Sequence, residues 1–343
     1  MTMRTPSPRG APPGETATAR LVDALLSAPG AAECETAAAW IASRAAAPAA
    51  APLEGGLAPL DRALLASTRA DRLAWAFLEA YQAAIRGRFA PGSPDGALGS
   101  FLANESGRRM VEINTRLTRV GDALRLDGAK SWCLRAADPF DLYVLARAAE
   151  GPPSGPGSLV VVAVRSDAPG VSLAPGLAQR VVPELPHASA RFDAVAIAPD
   201  DLLPGDGYGD YARPFRLDED RALAACTLAW LLGEAARRDW PDAWRQRALA
   251  AVVMLRNACG PDAAPQTELL AAGAVQLAGG LLDEADAHWA ATHGDDAGLA
   301  RWRRDRALLD GGRGVREARA RSAWQALRRP AGSAPDARGT SRD

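Results

Sequence analysis

The feature that most constrains this chain is a double change in the period of its apolar residues. They recur every three to four positions as far as about residue 90, alternate from about 110 to 200, and return to a helical spacing beyond Pro214. A period near four lines one stripe of a helix, and a period of two lines one face of a strand. The chain therefore reads as helix, sheet and helix in three blocks. At 343 residues it exceeds one typical domain, and with 48% hydrophobic residues it can bury a large core.

In the first block, Leu73, Phe77, Tyr81 and Ile85 recur every four residues, and Leu65, Ala70, Ala74 and Leu78 widen the stripe. This predicts one long core helix starting near Asp61 and stopped by the PGSPDG run at 91–96. Upstream, Leu21, Leu25, Ala38 and Ile41 predict one or two short helices between Leu21 and Ala47, ended by a linker from Pro48 to Pro52. Residues 1–17 and 331–343 are rich in Pro, Gly, Ser and charge without periodicity, the composition of disordered tails.

In the second block, Val111, Ile113, Thr115 and Leu117 alternate with Glu112, Asn114, Arg116 and Thr118, as a half-buried strand does. Gly121-Asp122 permits a reversal, Ala123 to Leu126 runs back, and Asp127-Gly128 is a type I′ turn signal before a third strand, Lys130 to Arg135. Further strands are expected at Leu142–Ala148, Leu159–Val164, Val171–Leu173, Gln179–Val182 and Ala190–Ile197. Strands in unbroken succession argue for an antiparallel sheet or barrel. The third block predicts helices at 217–238, 242–259, 266–291 and 297–329, enough for a bundle. The expected fold class is α+β: an N-terminal helical region over 18–105, a central antiparallel β-barrel or sheet over 106–210, and a C-terminal four-helix bundle over 211–330.

A net charge of −1 leaves no basic field to draw nucleic acid. Cys34, Cys133, Cys226 and Cys259 are far apart with no C-x-x-C pair, which suits reduced, buried thiols. His288 and His293 lie near Asp283, Glu284 and Asp286 without metal-ligand spacing, so no metal is expected. Gly205 to Gly209 is a turn-rich linker, because no strand and helix flank it as a phosphate loop requires. No apolar run reaches the roughly 20 residues of a membrane span, and the N-terminus lacks a signal-peptide core. Cytoplasmic location follows as the default.

The run Leu126-Asp127-Gly128-Ala129-Lys130-Ser131-Trp132, then Ala137-Asp138 and Val144-Leu145-Ala146-Arg147, resembles the L-x-G-x-K-x-W, A-D and V-x-A-R signature of the acyl-CoA dehydrogenase middle domain. Arg191 to Pro199 is similar to that family's last β-domain strand, Arg221 to the arginine opening its C-terminal bundle, and Arg304-Asp305 to the R-D pair of its late bundle helix. The order and spacing fit over residues 60–330. The resemblance implies FAD held between the β-domain and the bundle of a homodimer or homotetramer. It also implies an acyl-CoA or carrier-bound acyl thioester as substrate, oxidised at its CH–CH bond, and an electron-transferring flavoprotein as reoxidant.

Residue by residue, the resemblance places the Trp132 indole against the isoalloxazine, with Cys133 and Leu134 following it on the same strand. Leu134 stands where a Thr or Ser near flavin N5 is common. Ala103-Asn104-Glu105-Ser106-Gly107 replaces the family's T-E-P-x-x-G-S-D stretch, leaving Asn104 to meet a ring carbonyl, Glu105 in its usual place, and Arg108 or Arg109 to meet the pyrophosphate. A Glu before a Gly-Thr pair, the usual base, is absent. A minority branch carries its base immediately before the opening arginine, which makes Asp220 the candidate and Glu219 its substitute. Acids at that place also suit the first turn of a helix. His187, in a loop before the last strand, and Arg221 are the candidate substrate contacts. Two other readings stay open: a flavin-free binding or assembly subunit, and a flavin monooxygenase on the same scaffold.

Overall fold

Helix α1 (Ala17–Leu26) begins where Thr16 Oγ1 accepts the Ala19 N–H, and α2 (Ala37–Ala45) where Thr36 Oγ1 accepts that of Ala39. Each hydroxyl satisfies a donor that a helix start leaves unpaired. This computed structural model describes residues 16–27, 30–45, 58–91, 97–106, 112–148, 157–176, 178–258, 264–293 and 296–328, together with 150, 152 and 155. Both tails apart from residues 16 and 17, the Pro48–Pro52 linker, Arg108, Arg109 and Cys259 lie outside the described residues.

The single long helix expected from Asp61 is two, α3 (Pro59–Ser67) and α4 (Leu73–Arg88). At the end of α3 the Ser67 and Thr68 hydroxyls donate back to the carbonyls of Ala63 and Leu65. The Thr68 carbonyl comes so close to Gly233 that no side chain would fit there. The apolar spacing stays in phase across the break, so period alone does not reveal it. Helix α4 is buried on nearly every side. Its Gln82 holds strand β1 (Gly99–Leu102) by two bonds of 2.9 Å, one to the carbonyl and one from the N–H of Gly99. Strand β1 is four residues long and buried throughout, so it offers no alternation to read.

Six more strands complete one sheet: β2 (Arg116–Val120), β3 (Ala123–Leu134), β4 (Asp141–Ala148), β5 (Leu159–Arg165), β6 (Val171–Pro175) and β7 (His187–Ile197). The sheet is mixed rather than purely antiparallel. One edge of β4 pairs antiparallel with β5, while the other is shared by β1 at its start and β2 at its end, both parallel. The β2–β3 excursion between β1 and β4 returns the chain to its original direction, which makes those pairs parallel.

Asp127-Gly128 is not a turn either. Strand β3 runs through it as one strand with a register shift against β7. Gly128 has φ 146°, and a Cβ there would lie 2.6 Å from Thr115, so a bulge at a close backbone approach explains the glycine. Nor do residues 179–182 form a strand; the chain there is a loop in which Val182 has φ 44°.

A π-helical turn (Gly207–Ala212) leads into α5 (Arg213–Arg237), which packs against α3, α4, α6 (Asp242–Ala258) and α7 (Pro265–His293). The last expected helix, 297–329, is instead α8 (Ala297–Asp305), a 3-10 turn (Arg306–Asp310) and α9 (Arg313–Arg328). Gly311-Gly312, with φ 76° at Gly312, breaks it. Trp230, Trp244, Trp289 and Trp302 are fully buried in these helices, Trp240 in the α5–α6 connection, and Trp40 and Trp75 in the N-terminal helices. Helices before and after a mixed sheet along the chain confirm the α+β class. None of the described helices is long and apolar enough to cross a membrane.

Candidate functional site

Strand β3 presents its last residues in three environments. Trp132 is 44% exposed, unlike the seven fully buried tryptophans. Its ring lies 4.4 Å from that of His187, at 42° between planes. His187 opens β7 opposite Leu134, so pairing of the two strands brings the rings together. Burial lowers the His187 pKa, with the Leu185 backbone partly offsetting it, and Nδ1 is buried without a well-formed hydrogen bond. Cys133 is fully buried, and burial pushes its thiol up to about 11, so it is not a nucleophile at neutral pH. Leu134 is buried, and its N–H donates to Ser100 Oγ at 3.0 Å.

Glu105 is taken up internally. Its carboxylate accepts from the N–H of Asn114 (2.7 Å) and Thr115 (2.9 Å), from Thr115 Oγ1 (2.6 Å) and from Lys130 Nζ (3.1 Å). Burial alone would raise its pKa; these bonds and the Lys130 charge outweigh burial and hold the carboxyl well below the usual range. The Lys130 ammonium, fully buried, is lowered by burial despite its partner. Glu105 is therefore a strut between β2 and β3 with little left for a ligand. Asn104 exposes its side chain, while its carbonyl accepts from Ser131 N (3.0 Å) and Oγ (3.2 Å), next to Trp132. Arg108, the candidate pyrophosphate contact, lies outside the described residues.

Asp218, Glu219 and Asp220 follow one another on α5 at successive angles of about 100°, so they face different neighbours. Asp218 pairs with Arg88 at 2.6 Å. Asp220 pairs with Arg316 Nη1 at 2.9 and 3.0 Å and faces Gly312, in the break before α9. Glu219 keeps some exposed surface, and its carboxyl, crowded by protein atoms, has neither ion pair nor hydrogen bond among the described residues. Burial raises it to about 7, with Arg216 opposing and Asp220 reinforcing the shift. Arg221, 3% exposed, donates to the Ala258 carbonyl at 2.8 Å and lies 3.3 Å from Glu268, so it ties α5 to α6 and α7.

Glu219 acts on a tyrosine of α4 through its charge. Phe215, one helical turn before it, meets the Tyr81 ring edge-on at 5.8 Å, and the Glu219 charge is felt at the Tyr81 hydroxyl. That hydroxyl accepts the Phe101 N–H at 2.8 Å and lies 3.3 Å from Ser100 Oγ, the same oxygen that holds Leu134. Buried contacts thus link Phe215 of α5, through Tyr81 and Ser100, to the strand that carries Trp132, and the Glu219 charge acts on Tyr81 through space. A cavity of about 420 Å³ opens beside the end of β3 among Arg135, Asp138, Pro139, Ser166, Asp167 and Leu173. The structure brings Trp132, Leu134 and His187 together, and leaves Glu219 without a paired partner among the described residues. It commits Glu105, Asp220 and Arg221 to internal pairs. Tyr81 and Ser100 were not legible as site residues, since Tyr81 fits the apolar stripe of α4 and Ser100 sits in the strand with no alternation.

No protein-family profile and no curated protein sequence matches the chain. Solved structures do match it. FMN-bound TdsC from Paenibacillus sp. A11-2 superposes with a TM-score of 0.64 over 92% of this chain and 99% of its own, at 15% identity. Butyryl-CoA dehydrogenase from Megasphaera elsdenii gives 0.57 over 80% and 83%, at 16% identity. A glutaryl-CoA dehydrogenase from Mycobacterium smegmatis in complex with FADH2 gives 0.54 over 91% and 93%, at 14% identity. Helices, mixed sheet and bundle recur in the same order over most of each chain, so this protein has an acyl-CoA dehydrogenase-like fold.

Proposed function

We propose that this chain is a flavin-dependent oxidoreductase acting at the CH–CH bond of an acyl-CoA or carrier-bound acyl thioester, with Glu219 as the base. The observation that carries this reading is the place of Glu219: one turn along α5 from the Phe215 ring that packs on Tyr81, without ion pair or hydrogen bond among the described residues, where burial raises its carboxyl to about 7. The residues present suit the ring half of a flavin. Trp132 offers an exposed indole face backed by His187, and Asn104 stands exposed beside Ser131. FAD is the expected form, and FMN, which TdsC binds, is the other.

A bound flavin supplies the hydride acceptor. The chain's own work is to move the proton. The unpaired Glu219 carboxylate, poorly solvated, takes the α-proton and holds it as a neutral acid, the form its surroundings favour. Asp220 cannot do this without giving up Arg316, so it is the weaker of the two candidates. Because the base must be ionised, turnover rises as pH passes about 7. An electron-transferring flavoprotein as reoxidant and a homodimer or homotetramer belong to the same proposal. The spending of Glu105 and the apolar Leu134 favour a second reading, a flavin-free thioester-binding subunit.

The test is the visible spectrum after reconstitution with FAD or FMN and desalting, followed by anaerobic addition of acyl-CoA substrates. Retained flavin that bleaches with substrate, and that Glu219→Gln leaves bound but unbleached, is the expected result. Failure of either flavin to remain selects the flavin-free reading.

A further inference from the structure

Helix α8 ends on Asp305, a fully buried carboxylate at the end of a helix whose dipole disfavours negative charge. Such a group persists only where it is fully hydrogen-bonded. Here Oδ1 accepts the Val182 N–H at 2.8 Å and Arg304 Nε at 2.7 Å, and Oδ2 accepts Arg304 Nη2 at 2.7 Å. Neighbouring helix residues normally point apart. Arg304 nevertheless wraps round its neighbour and also donates to both oxygens of Glu184, at 2.8 and 3.0 Å. Arg72, from the turn before α4, lies 3.5 Å from the same Glu184.

All of these bonds converge on the loop at 178–186. Val182 within it is buried and β-branched yet has φ 44°, a strained conformation that lasts only where the surroundings impose it. From Val182 the chain makes a turn, with the Leu185 N–H donating to the Val182 carbonyl at 3.0 Å. The Pro186 carbonyl then accepts the Arg135 N–H at 2.9 Å, and the next residue is His187. The His187 ring has no well-formed hydrogen bond at Nδ1, and its polar neighbour is the Leu185 backbone, inside the same loop. Its place 4.4 Å from Trp132 is therefore fixed by the backbone that delivers it.

We propose that Arg304 and Asp305 are positioning residues: they clamp the 178–186 loop from the helical bundle and so set where the His187 ring stands against Trp132. The role of that ring pair as a flavin platform rests on the function proposed above; the clamp does not.

The chain has three histidines, so imidazole NMR correlations resolve His187, assigned by its loss in His187→Gln. In the wild type His187 titrates below the usual value of about 6.5. Asp305→Ala removes the acceptor, admits water to the ring and moves the midpoint back up toward that value; Asp305→Asn keeps an oxygen for the Val182 N–H and restores most of the depression. A folded Asp305→Ala protein with an unmoved midpoint overturns the clamp. Should that variant fail to fold by circular dichroism, Glu184→Gln is read instead: a smaller upward shift supports the clamp, and none overturns it. In parallel, FAD and FMN titrations should show Asp305→Ala binding about tenfold more weakly than wild type, with Asp305→Asn recovering. A wild type that takes up neither flavin sinks the proposed function, while the His187 titration still decides the clamp.

Discussion

Glu105 beneath strand β3 and Glu219 on α5 are both carboxylates largely withdrawn from water, and the fold treats them in opposite ways. Around Glu105 it gathers two backbone N–H groups, a hydroxyl and a lysine, so the charge is stabilised and held. Around Glu219 it supplies neither ion pair nor hydrogen bond among the described residues, so burial penalises the charge. A satisfied carboxylate is a poor base and a good strut; a desolvated one is a poor strut and a good base. On the function proposed above, the supply of donors rather than burial separates the structural acid from the reactive one.

The comparison breaks first at Glu105. Glu105→Ala strands the Lys130 ammonium in the core and should cost about 3–5 kcal/mol, read by urea unfolding; a loss below about 1 kcal/mol would mean that the pair is not load-sharing. Next is Glu219. Its folded pKa, about 7, lies above the ordinary 4.5, so its contribution to stability is whole below 4.5 and lost as pH rises through 7. Glu219→Gln should therefore be about 2–3 kcal/mol more stable than wild type at pH 8 and no more stable at pH 4. A difference independent of pH would show that the acid is solvated after all.

A smaller effect sharpens the contrast along α5. Arg316→Gln should cost about 1 kcal/mol, because its pair with Asp220 is partly exposed. It should leave the pH signature of Glu219 in place, whereas transfer of that signature to Asp220 would reverse the ranking of the two acids. The smallest effect belongs to Trp132. Exposed as it is, Trp132→Ala should change stability by under about 0.5 kcal/mol while abolishing flavin retention, measured by absorbance after desalting.

What was legible in the sequence follows from the same physics. The helix, sheet and bundle order is visible because burial on one face imposes a period, and Trp132, His187 and the acid pair are visible as residue types in a recognisable order. The breaks are not. The α3–α4 turn and the four buried residues of β1 keep or lack a period regardless of their geometry, and the bulge at Gly128 has the composition of a turn but is caused by Thr115, a neighbour from another strand. The ranking of Glu219 over Asp220 in the proposed function was equally hidden. It depends on Arg316, nearly a hundred positions away in the chain.

Lys130 is the only lysine in the sequence, and its ammonium is fully inside the protein. An amine-acylating reagent thus finds no lysine on the folded surface, and trypsin cuts that surface only at arginines. Acylation at position 130 can begin only when the β3 region opens, so the mass added there over time is an internal clock of opening, written into the chain without any label.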